Sequence, residues 1–398
     1  MTGAPIPENE LDRIMSLAEL DLDYTNHQDS FKDIAKLAAK VAGTDISLVN
    51  LIDTFTQWTI SNHGLDIDQM PREESVCQYT IMENDHFEVE DLTADDRFKN
   101  KFYVVDEPNL KYYYGIPLIT SEGHSLGALC VLDSEKKALT PEKVELLKII
   151  ASEIINRLKT FKAIDGLKIK LDTANQNQKK LAHDIRGPLG GIIGLAQVIS
   201  EQGQDNQIDE VLEFINLIHK SGRSILELAD EILSADKPQA LKSDEFNLTL
   251  FKDKLEKLYA PQARNKNIIF EIRVSPNSAT TPFSKNKLLQ ITGNLISNAM
   301  KFTPTYGKVT VDLNLKIEKG KTNLLRIKVT DTGVGLDKDA IKTILSGNAT
   351  STEGTGGEQG YGFGLALVKH LVGTLKGALN IYSESNQGAT FEVSIPQS

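Results

Sequence analysis

Two adjacent residues, a histidine and an acid, could carry out group transfer. His183 is followed directly by Asp184, and the segment continues as Ile-Arg-Gly-Pro-Leu to residue 189. The pKa of imidazole leaves a neutral ring with one free nitrogen near neutral pH, and that nitrogen can act as a nucleophile. The carboxylate can hold the other N–H and take up its proton. We therefore predict His183 and Asp184 as a catalytic pair.

A polar stripe at helical spacing could bind a metal and phosphates. Between residues 288 and 302, Asn294, Asn298 and Lys301 fall on one stripe of a helix whose other face is apolar. A solvated helix face is the simpler explanation, but asparagine is a poor helix former, and two of them need another reason. Amide oxygens suit Mg²⁺, which prefers hard oxygen ligands, and the lysine could neutralise a polyphosphate.

An acid at the end of a strand could bind a base. The strand predicted over residues 325–331 alternates apolar and polar residues, and Asp331 has the parity of the inward positions. A buried carboxylate without a partner is very costly, and the exocyclic amine of adenine is a suitable donor. Gly333 and Gly335 follow at once and permit a turn close against a ligand.

A further glycine-rich stretch precedes an apolar helix predicted over residues 363–375. Its glycines are Gly360, Gly362 and Gly364. Bare backbone N–H groups at such a helix start can approach phosphates. Taken alone, these glycines are better explained by a flexible loop than by phosphate binding.

The apolar pattern divides the chain into three domains that must position these groups. Residues 11–162 alternate helical and strand-like segments, which predicts an α+β domain closed by a long helix. The strand pairs 46–53 with 57–61 and 114–120 with 126–132 are predicted as hairpins. The long helix is predicted to start with Thr140 as its cap and Pro141 at its first position. Residues 163–240 are helical apart from a break at residues 202–206, which predicts a helical hairpin, and two hairpins would form a four-helix bundle. Residues 241–398 have an α/β pattern, with a helix over 284–302.

A long helix is predicted to connect the first two domains. Its apolar residues recur at spacings of three and four, similar to a coiled-coil seam. This favours pairing with a second copy, although an amphipathic helix packed on its own domain is the alternative. We expect the helix over residues 140–181 to transmit the state of the first domain as a twist or bend near Pro188, which removes a helix hydrogen bond.

Composition excludes several classes of function. The formal net charge of −11 argues against nucleic-acid binding, which needs clustered basic residues. The two cysteines, Cys77 and Cys130, form no disulfide framework and fit a reducing compartment. Because the first residues lack a secretory pattern and no stretch of about 20 apolar residues occurs, we expect a soluble cytoplasmic protein without a membrane span.

Three of these patterns resemble the N, G1 and G2 boxes of the Bergerat-type ATPase fold, and they occur in the same order. They are the polar stripe, Asp331 with its two glycines, and the glycines from 360 to 364. Histidine kinases, type II topoisomerases, heat-shock chaperones and mismatch-repair ATPases share this fold. The resemblance implies ATP with Mg²⁺ as cofactor, a metal ligand at Asn298, phosphate contacts from Asn294 and Lys301, and adenine at Asp331. It also implies that Thr390 lies near the base and that Gly360 to Gly364 hinge a lid. Residues 341–360 are small and polar, which predicts a loop, and they lack the usual Phe-rich box, so the lid residue that grips the phosphates is unassigned.

The segment from His183 to Leu189 is similar to the H box of dimerising histidine kinases, usually His-Glu-Leu-Arg-Thr-Pro-Leu. The resemblance implies a homodimer that autophosphorylates His183, in cis or in trans, and passes the phosphoryl group to an aspartate of a separate response-regulator receiver domain. Gly187 stands where Thr or Asn usually positions a water, which puts phosphatase activity in doubt.

The first domain resembles a GAF domain, through residues 75–81, 89–98 and 114–133. Neither cysteine is followed by histidine, unlike the pigment-attaching cysteine of bilin-binding GAF domains, so no covalent pigment is expected. The GAF ligand stays unknown. Core packing of both thiols is favoured over redox sensing or a cluster shared between two chains. Structural roles are likewise favoured over haem ligation for the candidate histidines, His27, His63, His86 and His124.

These resemblances predict a sensor histidine kinase of a two-component system. A GAF-gated ATPase or chaperone-like module is the second hypothesis, and a silent signalling scaffold is the third. An acid-labile, alkali-stable label from γ-labelled ATP would distinguish the kinase from both.

Overall fold

The computed structural model describes residues 5–24, 28–202, 208–234, 245–317, 322–346, 354–356 and 362–397. The chain divides into two compact units: residues 1–162 together with 246–398, and residues 163–245. Within the described ranges, no helix combines the length and apolar character that crossing a membrane requires.

The first domain of the larger unit is a six-stranded antiparallel sheet with the order β3-β2-β1-β6-β5-β4. Successive side chains of β1 point to opposite faces, so Val49 packs under α2 while Leu48 packs on the side of α3. Both predicted hairpins, β1–β2 and β5–β6, are confirmed by their antiparallel pairing. The elements are α1 (Glu10–Glu19), α2 (Gln28–Ala42), β1 (Ile46–Ile52), β2 (Thr56–His63), β3 (Gln69–Pro71), α3 (Cys77–Thr80), β4 (Phe87–Val89), α4 (Phe102–Val105), β5 (Tyr112–Ile119) and β6 (Ser125–Asp133).

The long helix α5 (Pro141–Gln202) is unbroken over 62 residues and continues through Pro188. It begins as the sequence predicts, with Pro141 at the first position and the Thr140 hydroxyl accepting a 3.4 Å hydrogen bond from the Lys143 N–H. Helix α6 (Ile208–Ser234) follows. The helical hairpin is therefore confirmed, although most of its predicted turn, residues 203–206, lies outside the described residues.

The second domain of the larger unit is α/β, as predicted. Its five-stranded sheet has the order β12-β13-β11-β10-β8, in which β8 and β10 are parallel and the other neighbours antiparallel. The elements are β7 (Glu245–Phe246), α7 (Leu248–Asn265), β8 (Ile269–Val274), β9 (Phe283–Ser284), α8 (Leu288–Phe302), β10 (Lys308–Lys316), β11 (Asn323–Asp331), α9 (Lys338–Ser346), α10 (Gly364–Thr374), β12 (Ala378–Ser383) and β13 (Ala389–Gln397).

Two elements of this domain differ from the sequence prediction. The helix expected from residue 284 begins at Leu288, because Lys287 has left-handed backbone angles (φ 56°, ψ 9°) that no α-helix contains. Ser284 instead belongs to β9, which pairs with β7. Helix α9 lies where the sequence predicted only a polar loop, and its Ile341 and Ile344 are half-buried.

Helix α1 packs between the two domains of the larger unit. Leu17 joins the apolar cluster of the first domain, whereas Ile14 and Ala18 join that of the second. Trp58 of β2 also belongs to the second domain's cluster, where its ring stacks on Tyr24 at 4.9 Å and meets the edge of Tyr259 at 6.0 Å. The two domains therefore share apolar core.

A buried ion cluster fixes α1 to the first domain. Arg13 donates to the Glu10 carboxylate at 2.7 and 2.8 Å, and Arg72 forms a second ion pair with the same acid. All three side chains are almost fully buried. Arg13 also donates to the carbonyl of Ile52 at 2.7 Å. Buried charges of this kind are stable only when paired, so α1 is held in one position.

Candidate nucleotide site

The polar stripe of α8 is buried. Asn294, Asn298 and Lys301 are only 4%, 8% and 6% exposed. The explanation as a solvated helix face is therefore wrong, and these groups need partners other than bulk water. Asn294 donates from Nδ2 to the carbonyl of Gln290 at 3.0 Å, which orients its amide.

Asp331 lies at the buried end of β11, as its parity predicts. Its Oδ1 accepts hydrogen bonds from the backbone N–H groups of Gly333 at 2.8 Å and Ala389 at 3.2 Å. Burial raises the pKa of Asp331, and these two hydrogen bonds offset part of that increase. Within the described ranges no group donates to Oδ2, which can accept a hydrogen bond from a ligand.

Two glycines after Asp331 are required by the local packing. A Cβ at position 333 would collide with the carbonyl oxygen of Phe302. Gly335 has φ +68°, and a Cβ there would collide with the carbonyl oxygen of Glu384. Only glycine lets the turn after β11 pass this close to α8 and to the loop between β12 and β13.

A cleft of about 530 Å³ brings together six of the residues predicted to bind the nucleotide. A volume of this size suits a nucleotide-sized ligand. Gly333 lies at its edge, bonded to Asp331. The predicted residues that line the cleft are Asn298, Lys301, Asp331, Gly335, Gly362 and Gly364.

The other predicted residues have different positions. Asn294 Oδ1 would lie 3.0 Å from a Cβ at Gly364, so it is close to the cleft. Thr390 pairs with Thr330 across β11 and β13, with their hydroxyl oxygens 3.1 Å apart, and is not among the residues that line the cleft. Gly360 lies outside the described residues. His183 and Asp184 lie within α5, but their side chains are outside the described part of the chain.

Two amide atoms support the fit of Mg²⁺. Among the described residues, Asn294 Oδ1 and Asn298 Nδ2 are buried without a hydrogen-bond partner. The N and O atoms of an amide are exchangeable by a flip of the side chain, so Asn298 can also present its oxygen. Buried amides without partners are rare, and hard amide oxygens are ligands that Mg²⁺ accepts. When bound, the metal would neutralise phosphate charge.

Sequence reasoning missed two parts of the cleft wall. Ala340, Thr343 and Ile344 come from α9, whose half-buried isoleucines at i and i+3 were the available signal. Phe55, in the turn between β1 and β2, belongs to the first domain. A Cβ at Gly364 would lie 2.9 Å from Cε2 of this ring, so the two are in close contact. No local pattern marks such a contact between domains.

Three protein families match successive parts of the chain. Residues 26–158 match the GAF domain, residues 175–241 the His Kinase A (phospho-acceptor) domain, and residues 284–398 the histidine kinase-, DNA gyrase B- and HSP90-like ATPase. The predicted resemblances and the fold class are confirmed by these matches. The chain has the domain composition of a GAF-containing sensor histidine kinase, and its C-terminal domain is of an ATP-using family.

Curated relatives include sensor kinases. The autoinducer 2 sensor kinase/phosphatase LuxQ of Vibrio vulnificus is 35% identical over 227 residues, which cover 54% of this chain and 26% of that protein. The aerobic respiration control sensor protein ArcB of Escherichia coli is 30% identical over 225 residues, covering 54% and 28%. A cyclic di-GMP phosphodiesterase of Pseudomonas aeruginosa is 35% identical over 186 residues, covering 46% and 31%. The chain thus spans between a quarter and a third of the length of these relatives.

Solved structures with partial likeness are also histidine kinases. The catalytic domain of histidine kinase ThkA is 21% identical and covers 38% of this chain and 94% of that chain, with a TM-score of 0.32. The structure of ThkA with the response regulator protein TrrA is 18% identical and covers 72% and 75%, with a TM-score of 0.31.

Proposed function

We propose that the chain is an ATP-dependent protein-histidine kinase. The main observation that supports this proposal is the cleft, in which the buried stripe of α8 and the buried carboxylate of Asp331 come together. In this proposal Asp331 accepts a hydrogen bond from adenine, Asn298 holds Mg²⁺ with Asn294 nearby, and Lys301 neutralises the phosphates. Such a site acts by positioning and charge compensation.

The proposed phosphoryl acceptor is His183, with Asp184 as its base. Its imidazole nitrogen would attack the γ-phosphorus and form an N–P bond, while the bond to the β-phosphate oxygen breaks and ADP leaves. The phosphoryl group would then pass to an aspartate of a separate receiver domain. Gly187 offers no side chain to position a water, so phosphatase action by that route is not expected.

A homodimer is the proposed assembly. Large apolar side chains are exposed along the helical hairpin of a single chain, more than an isolated hairpin would leave in water. A second copy would cover them in a four-helix bundle. These exposed residues are Leu167, Leu171, Leu189, Ile193, Ile208, Leu212, Ile215 and Leu226.

The proposed domain limits are 11–162 for the GAF domain, 163–240 for the dimerisation and phosphotransfer hairpin, and 241–398 for the catalytic domain. A cytoplasmic location is proposed because the ATP and receiver domain it would use are found there.

Incubation of the full chain with γ-labelled ATP and Mg²⁺ tests the proposal. Acid-labile, alkali-stable label should appear on the protein and be lost in His183→Gln, whereas His219→Gln, on α6, should keep it. Released phosphate without labelled protein would instead favour an ATPase, and label retained in His183→Gln would refute the assigned acceptor.

We further propose that the GAF domain gates the cleft directly through Phe55, in addition to any signal carried by α5. The ring lies against Gly364, where the proposed lid hinge meets α10. Opening of the cleft at this end requires backbone rotation at Gly364, and an aromatic ring packed on this glycine restricts that rotation. A small shift of the turn between β1 and β2 would release it.

Phe55→Ala tests this contact. The substitution should raise the rate of autophosphorylation several-fold, while Met82→Ala, at an exposed GAF position that does not line the cleft, should leave it unchanged. Thermal unfolding of both variants checks that the fold is intact. An unchanged rate in a folded Phe55→Ala protein would contradict direct gating.

A further inference from the structure

A small cavity in the GAF domain ends at two sulfur atoms. Its volume is about 130 Å³, and Cys77 and Cys130 both line it. Exposed Asp66 and Glu107 line it as well, so it reaches the surface. Drug-sized and cofactor ligands need about 300 to 1,000 Å³, whereas a water takes up about 30 Å³. The cavity therefore suits a molecule of a few heavy atoms.

Haem ligation is not supported by the positions of the described histidines. None of His63, His86 and His124 lines this cavity, and His27 lies outside the described residues. His86 instead bonds Asp85 at 2.7 Å and stacks on Tyr114. Besides the carboxyl groups of Asp66 and Glu107, the cavity offers two thiols, two amides and two phenols.

The two thiols are close enough to react with each other. Their sulfur atoms are 3.9 Å apart, and both residues are buried. A disulfide has an S–S distance of about 2.04 Å, so closure requires a movement of roughly 2 Å. Cys130 is paired on both sides in strand β6, while Cys77 opens the four-residue helix α3, which no strand pairing holds.

Hydrogen-bond donors converge on Cys77. Asn50 Nδ2 lies 3.2 Å from its sulfur and 3.5 Å from that of Cys130, and the Tyr113 hydroxyl lies 3.3 Å from Cys77. Burial opposes a charge here, but hydrogen bonds from Cys130, Tyr113 and Asn50 outweigh it and lower the pKa of Cys77 to about 7. Burial raises the pKa of Cys130, whose sulfur has the longer of the two contacts with Asn50. The two thiols thus differ as an attacking and a resolving cysteine do.

We propose that Cys77 and Cys130 form a peroxide-reactive dithiol, in which hydrogen peroxide entering the cavity oxidises Cys77 and Cys130 closes a disulfide. The Cys77 thiolate attacks the peroxide, so an S–O bond forms, the O–O bond breaks and hydroxide leaves as water after taking a proton. The Cys130 sulfur then attacks the sulfenic sulfur of Cys77. An S–S bond forms, the S–O bond breaks, and the hydroxide leaves as water with the Cys130 proton. The sulfurs lose two electrons, and one peroxide becomes two waters.

The cavity also adjoins the contact between the domains. Met70 lines it, and its neighbour Gln69 donates to the carbonyl of Leu258 in α7 at 2.9 Å. A shift at the thiols would therefore reach α7 through β3. Any effect on phosphorylation rests on the proposed kinase function, but disulfide formation does not.

Intact mass and peptide mapping of the full, reduced chain after hydrogen peroxide treatment test the dithiol. The folded protein should lose the mass of two hydrogen atoms, the two cysteines should map to one linked peptide pair within one chain, and reducing agent should reverse the change. Unmodified thiols, or disulfides only between chains, would overturn the proposal. This outcome is separate from the labelling by ATP, so either proposal can fail alone.

Two variants assign the roles. Cys130→Ser should stop at a sulfenic acid on Cys77, seen as the gain of one oxygen atom in the intact mass, whereas Cys77→Ser should leave Cys130 unoxidised. Tyr113→Phe removes one donor to the Cys77 sulfur and should shift the pH midpoint of oxidation upward relative to the unsubstituted chain. Equal reactivity of Cys130 in Cys77→Ser, or an unmoved midpoint in folded Tyr113→Phe, would refute the assignment.

Discussion

Replacing Asp331 with asparagine separates the cost of burying its charge from the binding of adenine that we propose for it. The amide keeps the size of the side chain, and its oxygen can still accept from the Gly333 and Ala389 N–H groups. The other carboxylate oxygen becomes an NH₂ donor. A donor there faces the donating amine of adenine.

The two effects have opposite signs. A hydrogen bond to a charged group contributes about 1.5–3 kcal/mol, so its loss should weaken nucleotide binding roughly 10- to 150-fold. Burial raises the pKa of Asp331, so at neutral pH its charge is less favourable in the folded chain than in the unfolded chain. The free energy of unfolding without nucleotide should therefore be unchanged or higher in Asp331→Asn.

Titration calorimetry with ATP and Mg²⁺ measures the first effect, and urea unfolding without nucleotide measures the second. Asp337→Asn, at an exposed position that also lines the cleft, is the matched control and should change affinity by less than the site variant. Unchanged affinity in Asp331→Asn would refute the adenine contact. A fall in affinity together with a large loss of stability would show that the carboxylate is structural.

Three further predictions follow from the same geometry. Nucleotide affinity should fall on acidification at a pH above the usual carboxyl range, because the raised pKa of Asp331 lets the acceptor become protonated at that pH. A calorimetric pH series should show no such fall in Asp331→Asn, and a fall that persists in this variant would contradict the assignment. Glu10→Gln should lower the free energy of unfolding by about 3–5 kcal/mol, since two buried arginines lose their charged partner. In the same urea unfolding, Glu8→Gln at an exposed position should stay within about 0.5 kcal/mol of the unsubstituted chain. Equal effects of the two substitutions would argue against the ion cluster. Gly333→Ala should lower the free energy of unfolding by about 1–3 kcal/mol, because the new Cβ collides with the Phe302 carbonyl. Gly373→Ala, where the Cβ meets open space, should leave stability nearly unchanged. Equal thermal unfolding of the two variants would contradict the packing argument.

Much of the nucleotide site could be predicted from the sequence because its signals are periodic. Asn294, Asn298 and Lys301 share a helical stripe, and Asp331 shares the parity of its strand, so each position follows from the local period. The hairpins of the GAF domain were predictable for the same reason. Local pattern also predicted the start of α5, where Thr140 and Pro141 match known capping preferences.

What could not be predicted depends on contacts between distant residues. Phe55 reaches the cleft from another domain, and nothing in its neighbouring sequence marks that position. Lys287 adopts left-handed angles that a lysine does not favour, so the start of α8 is set by its surroundings. Helix α9 combines exposed polar residues with few apolar ones, and its amphipathic signal is short. The contact between His183 and Asp184 stays a prediction.

The apolar cluster shared by Trp58, Ile14 and Ala18 has a consequence for dividing the chain into fragments. The family boundaries suggest that the catalytic domain is a separable piece, yet part of its hydrophobic core is supplied by residues more than 180 positions earlier in the sequence. A fragment beginning at residue 246 would uncover Tyr259 and Leu258 to water. We expect such a fragment to aggregate or to need a substitute for this surface, so the smallest autonomous catalytic piece includes the N-terminal domain.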